Sequence, residues 1–142
     1  MPALYNDIHT FDPPNLKDEE DEYKAVAWHY DDTIFVGTAQ GHCIHVKLEF
    51  TLEENNRISG VKMFEKMKVS CGLDISRFIL TQLHVIAATE SNDIVFFEKS
   101  GEKEDTGDLK KDNPEKIVKF DGNKINNFFY NQEKSSLFIS SP

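Results

Sequence analysis

Thr33-Ile-Phe-Val-Gly-Thr38 returns as His84-Val-Ile-Ala-Ala-Thr89 and again as Leu137-Phe-Ile-Ser-Ser141, at spacings of about 51 and about 52 residues. Each copy follows a hydrophobic stretch and a polar turn, and the first two run on into another apolar segment. β-Branched and small residues fill these runs, as pleated and buried strands require. A spacing of this size marks stacked supersecondary units, none able to bury its apolar faces alone.

Working outward from the first copy, Tyr23-Lys-Ala-Val-Ala-Trp-His29 reads as a preceding strand, with a turn at Asp31-Asp32. Gln40-Gly41 suits a two-residue type I′ hairpin turn, because Gly tolerates the positive φ required there. The return strand is His42-Cys-Ile-His-Val-Lys-Leu48. Alternation puts Ile44, Val46 and Leu48 on one of its faces and Cys43, His45 and Lys47 on the other. After the polar Glu54-Asn55-Asn56, residues 58–67 offer an outer fourth strand, with a short helix as the alternative.

The second unit repeats the order: strands at 73–80 and 83–89, a turn at Glu90-Ser-Asn-Asp93, then Ile94-Val-Phe-Phe97. A charged loop follows, and Glu115-Lys-Ile-Val-Lys-Phe120 makes a short fourth strand. A third unit opens with Ile125-Asn-Asn-Phe-Phe-Tyr130 and enters its second strand at Leu137. The expected divisions are an N-terminal strand and acidic connector over 1–22, units at 23–68 and 69–121, and a partial unit at 122–142. Within the first of these, a short strand is expected over residues 4–11, and Lys17-Asp-Glu-Glu-Asp-Glu22 reads as a solvated connector.

The formal charge of −9 opposes nucleic-acid binding, which needs a dense Lys/Arg face. No apolar run approaches the roughly 18–20 residues that span a bilayer, and the N-terminus lacks the pattern of a signal peptide. Cys43 and Cys71 are too few for a disulfide framework, so a reducing, cytoplasmic setting is expected.

Gly41-His-Cys-Ile-His45 is the first place to seek a metal. Zinc needs three or four convergent ligands. His42 and His45 point to opposite faces of a strand, and no second pair at ligand spacing completes Cys43 and His45. Pairing either cysteine with His29, His45 or His84 would resemble a thiol–imidazole dyad. Both thiols lie in apolar strands, however, where a small core residue is the simpler reading. The carboxylates fall in turns and charged loops, and no Gly-rich phosphate loop is present. No catalytic, cofactor or metal residue is therefore assigned, and no enzymatic activity is expected. Trp28, Phe35, Phe96, Phe97, Phe128 and Phe129 are expected to pack sheet against sheet, with Trp28 as an alternative partner anchor.

An apolar strand, a polar turn, a strand ending in Gly-Thr or Ser-Ser, a Gly- or Asp-containing turn and a further apolar strand together resemble the WD-repeat β-propeller family. The likeness covers residues 23–141. It departs from the family pattern in two places: Gly41-His42 lies in a hairpin turn rather than before a first strand, and only Phe97-Glu98 approaches a Trp-Asp pair. From Ala27-Trp28 through Gly41-His42 the chain is also similar to degenerate blades of large cilia- and flagella-associated WD-repeat proteins. The resemblance implies an all-β chain of four-stranded antiparallel blades, incomplete as a ring. It also implies a non-catalytic protein–protein interaction scaffold in a cytoskeletal, ciliary or axonemal assembly. Its partners would be proteins that complete the propeller, or axonemal components, with no membrane or nucleic acid. The alternative is a small self-contained β-domain with a ligand-binding or metal-dependent pocket lined by Cys43, His45 and His84.

Overall fold

The computed structural model describes residues 16–30, 32–100, 109–120, 127–131, 133–134 and 136–140. The strand expected over residues 4–11 lies outside them, as do the side chains of Phe128 and Phe129. Every regular element among the described residues is a β-strand.

Sheet 1 is antiparallel in the order β1 (Tyr23–Tyr30), β2 (Thr33–Thr38), β3 (His42–Leu52), β4 (Ile58–Ser70). Sheet 2 repeats it with β5 (Ile75–Leu80), β6 (His84–Thr89), β7 (Asp93–Glu98) and β8 (Lys116–Lys119). A third element is the hairpin of β9 (Asn127–Asn131) and β10 (Ser136–Ser140). The fourth element of unit 1 is thus a strand throughout, not a helix, because its whole length pairs with β3.

The repeat is atomic as well as textual. Gly41 N–H donates to Thr38 O at 3.0 Å, and Asn92 N–H to Thr89 O at 3.1 Å. His42 N–H donates to Thr38 Oγ1, as Asp93 N–H does to Thr89 Oγ1. Leu48 N–H reaches Asp32 O, and Lys99 N–H reaches Leu83 O. Cys71 N–H reaches Gly41 O, and Phe120 N–H reaches Asn92 O. The turn itself differs from the expected two-residue type I′. It closes from Thr38 to Gly41, with Gly41 at φ 92°, and from Thr89 to Asn92, with Asn92 at φ 68°. That is the three-residue arrangement ending in a left-handed residue. Gly41 is also required sterically, because a Cβ there would sit 2.5 Å from the Leu73 backbone nitrogen.

Each sheet has a front and a back. The front of sheet 1 carries Ile34, Val36, Ile44 and Val46, and its back carries Phe35, Cys43 and His45. At the repeat spacing, the front of sheet 2 carries Val85, Ala87, Val95 and Phe97, and its back carries Ile86, Ala88 and Ile94. The front of sheet 2 packs on the back of sheet 1, where Phe35, Cys43, Ile75, Val85, Val95 and Phe97 are fully buried. The hairpin packs on the back of sheet 2 through Leu137 and Ile139. The three elements are therefore stacked head to tail, each through the same pair of faces. Strands buried on both sides read as near-continuous apolar runs, which is why 33–38 and 84–89 show little alternation.

Phe35, Phe96 and Phe97 lie between sheets as expected. Trp28 does not; it stands on the front of β1 and is 62% exposed.

Candidate interaction surface

On β1, buried and exposed residues alternate through the whole strand. Ala25 and His29 turn to the back, Ala25 into the core between the sheets and His29 edge-on to Phe35 at 5.4 Å. Val26 pairs with Val36, and Trp28 with Ile34, so both stand on the front. Val26 is 64% exposed. In sheet 2 the corresponding residues are Phe78 and Leu80, which pair with Ala87 and Val85 and pack into the core against sheet 1. Phe78 presses onto Gly37, where an added Cβ would come within 2.8 Å of its ring. The same strand position thus meets a sheet in unit 2 and solvent in unit 1.

The middle of the front of sheet 1 is covered from within: Leu16, Tyr23, Val61 and Met63 pack over Ile34, Val36, Ile44, Val46 and Leu48. Between this cover and β1 lies an apolar hollow of about 350 Å³, bounded by Leu16, Tyr23, Val26, Ile34, Val36 and Met63. An open depression beside Trp28, His29, Tyr30 and Asp32 continues it toward the β1–β2 turn. Asp32 is ion-paired with Lys47, whose hydrogen bond holds the carboxyl below the usual range. Apolar side chains exposed side by side on a sheet, next to a hollow, are the pattern of an interaction surface rather than of scattered surface residues.

At the other end of sheet 1 a polar latch holds the chain entering β1. Burial alone would raise the Asp21 carboxyl. Hydrogen bonds from the Thr38 hydroxyl, Gln40 N–H, Glu22 N–H and the His42 ring outweigh it and hold the group at about 2. The Gln40 and Glu22 donors lie 2.9 and 2.8 Å from Oδ1, and His42 Nδ1 lies 3.2 Å from Oδ2. The solvated reading of the acidic run holds for residues 18–20 and Glu22 but fails at Asp21, whose side chain is fully buried. Composition hides it, since one anchoring carboxylate looks like its exposed neighbours. The available signal was the Thr that closes both β2 and β6, followed four residues later by a polar side chain.

The residues weighed for metal or thiol chemistry are separated. Cys43 and His45 are fully buried between the sheets, with His45 stacked on Phe35 at 4.5 Å. Burial raises the Cys43 thiol far above its ordinary range and raises that of Cys71, which donates to Leu73 O. Neither thiol is placed to supply a thiolate at neutral pH. His84 instead meets Glu115 on sheet 2 at 2.6 Å. His42 belongs to the Asp21 latch, on the opposite face of β3 from His45. Among the described residues no three His, Cys, Asp or Glu side chains converge as a metal set. No helix among them is long and apolar enough to cross a membrane.

Comparison with protein-family models, curated proteins and solved structures returned no match.

Proposed function

We propose that this chain is a protein–protein interaction scaffold: a WD-repeat-like propeller segment, without catalytic chemistry of its own, whose exposed faces receive other proteins. The observation that carries this reading is the exposed front of β1. Val26 and Trp28 are open at positions where the second unit buries Phe78 and Leu80 against a neighbouring sheet. Rigid stacked sheets hold such side chains in one geometry, so little ordering entropy is lost on binding. A large aromatic flanked by smaller apolar groups is the composition of an interface anchor. The head-to-tail stacking of four-stranded sheets supports the propeller-like part of the reading, since radial repetition of such sheets builds propellers. The formal charge of −9 favours partners with basic surfaces.

The test is capture by the immobilised full chain, compared with its Trp28→Glu and Val26→Glu forms and read by mass spectrometry. A defined protein retained by the parent chain and lost with both substitutions supports the scaffold reading. Identical retention on all three removes it. The cytoskeletal or axonemal setting rests on the resemblance of residues 27–42 alone. Co-sedimentation with purified axonemes tests it, and a chain left wholly in the supernatant counts against it.

A further inference from the structure

The stacking leaves two faces over, one of each kind. Every back face in the molecule receives a front face except that of the β9–β10 hairpin, where Phe138 is 45% exposed. Every front face is seated on a back face except that of sheet 1, where Val26 and Trp28 stand open. Phe138 occupies the position of Phe35, which is fully buried beneath the front of sheet 2. Ser140 occupies the position of Gly37 and Ala88, the small residues on which a neighbour's inner strand settles. The unmet front and the unmet back are thus the two halves of an interface that the chain already makes twice internally.

We infer that the occupant of the β1 front is a second copy of this chain, docked head to tail through its β9–β10 hairpin. The inference rests on the propeller-like reading above and names the partner for its open face. Phe138 of one copy enters the hollow beside Val26 and Ile34 of the next, while Trp28 covers the hairpin where Leu80 covers sheet 1. Such an interface is heterologous, with different surfaces meeting, so it continues until it closes into a ring. Two copies contribute four complete sheets and two hairpins, six units, inside the range of roughly four to eight over which propeller-like rings close. The middle of the sheet 1 front is already covered by Leu16 and Tyr23, so the contact is confined to the inner strand and is of moderate strength. Each copy carries a formal charge of −9, so added salt strengthens the association by screening the repulsion between them.

Sedimentation velocity of the full chain across micromolar concentrations tests this. The expected result is a concentration-dependent dimer. Trp28→Glu and Phe138→Glu, both at exposed sites, each raise its dissociation constant by at least about tenfold while leaving the circular dichroism spectrum unchanged. Val26→Glu serves as a second front-face variant if Trp28→Glu misfolds. The decisive arm is the mixture. Trp28→Glu retains a sound back face and Phe138→Glu a sound front face, so an equimolar mixture regains a one-to-one complex through a single good interface. A chain that stays monomeric, an association that survives either substitution, or a mixture that stays monomeric overturns the inference. A monomer that still captures another protein through Trp28 removes the self-docking and leaves the scaffold reading in place.

Discussion

Sheets 1 and 2 share strand order, turn geometry and the hydrogen bonds that close each turn, yet they live in different surroundings. Sheet 2 is covered on both faces, by sheet 1 in front and by the β9–β10 hairpin behind. Sheet 1 is covered behind, while its front is only partly filled, by residues just ahead of β1. Its outer strands also run on: β3 and β4 span 11 and 13 residues, against 6 and 4 for β7 and β8. That extension carries Phe50 and Leu52 into solvent. Sheet 1 further anchors its entry with the Asp21–Thr38–His42 latch. In sheet 2 His42 is replaced by Asp93, and the nearby Asp74 keeps Oδ1 buried without a hydrogen bond from the described residues. The same backbone unit thus serves as an interior layer in one place and as a boundary layer in the other. A boundary layer needs its own latch, because no second neighbour holds its first strand down.

The largest effect expected is at the shared core. Phe97→Ala empties a fully buried site on the front of sheet 2 and should cost about 3–5 kcal/mol in denaturant unfolding. Trp28→Ala, on the same face of sheet 1, should stay within about 0.5 kcal/mol under monomeric conditions. If the two cost the same, the front of sheet 1 is not open and the contrast between the sheets fails.

Breaking the latch comes next. Asp21→Ala leaves the His42 ring and two backbone N–H groups without their acceptor and should cost on the order of 2 kcal/mol. The pH dependence carries a definite sign. The folded carboxyl titrates at about 2, below the ordinary aspartate value near ~3.9. Its contribution is therefore fully present above about pH 4 and disappears as pH falls from there toward about 2. Unfolding followed across that window should show a slope in the parent chain that Asp21→Asn reduces; an identical slope in both would exclude the latch.

Gly37→Ala makes sheet 1 resemble sheet 2, which has Ala88 in that place. The new methyl meets Ile75 and Phe78 at 2.5 and 2.8 Å, so the neighbours must shift, at a cost of about 1–2 kcal/mol. A neutral result would mean that the two sheets are less tightly seated than the contacts imply. The smallest effect is at the projecting hairpin, where Leu52→Ser should leave stability unchanged within about 0.5 kcal/mol. A larger loss there would assign the extension a packing role inside the folded chain.

Strand positions, their order and the repeat were legible from residues because alternation, β-branched runs and turn residues are local properties of the chain. Thr33–Thr38 and His84–Thr89 appear as strands where the repeated phrase put them. The splitting of His42 from His45 followed from pleat geometry alone. The choice of strand over helix for Ile58–Ser70 did not, because its pattern is broken by a bulge opposite His45 and Val46, and pairing with β3 decides it. The type of the Thr38–Gly41 turn was likewise settled by which carbonyl the Gly41 N–H reaches. Asp21 could not be separated from its acidic neighbours, since its burial depends on a turn that lies 19 residues away at Gln40. The openness of Trp28 was equally hidden: its strand reads like β5, and only the stacking order shows that one inner strand meets a neighbouring sheet while the other meets solvent. Sequence by itself determined the units, because a unit is built from contacts near in the chain. Tertiary structure alone decided which faces were used up and which remained, because face-to-face packing joins residues that no local pattern connects.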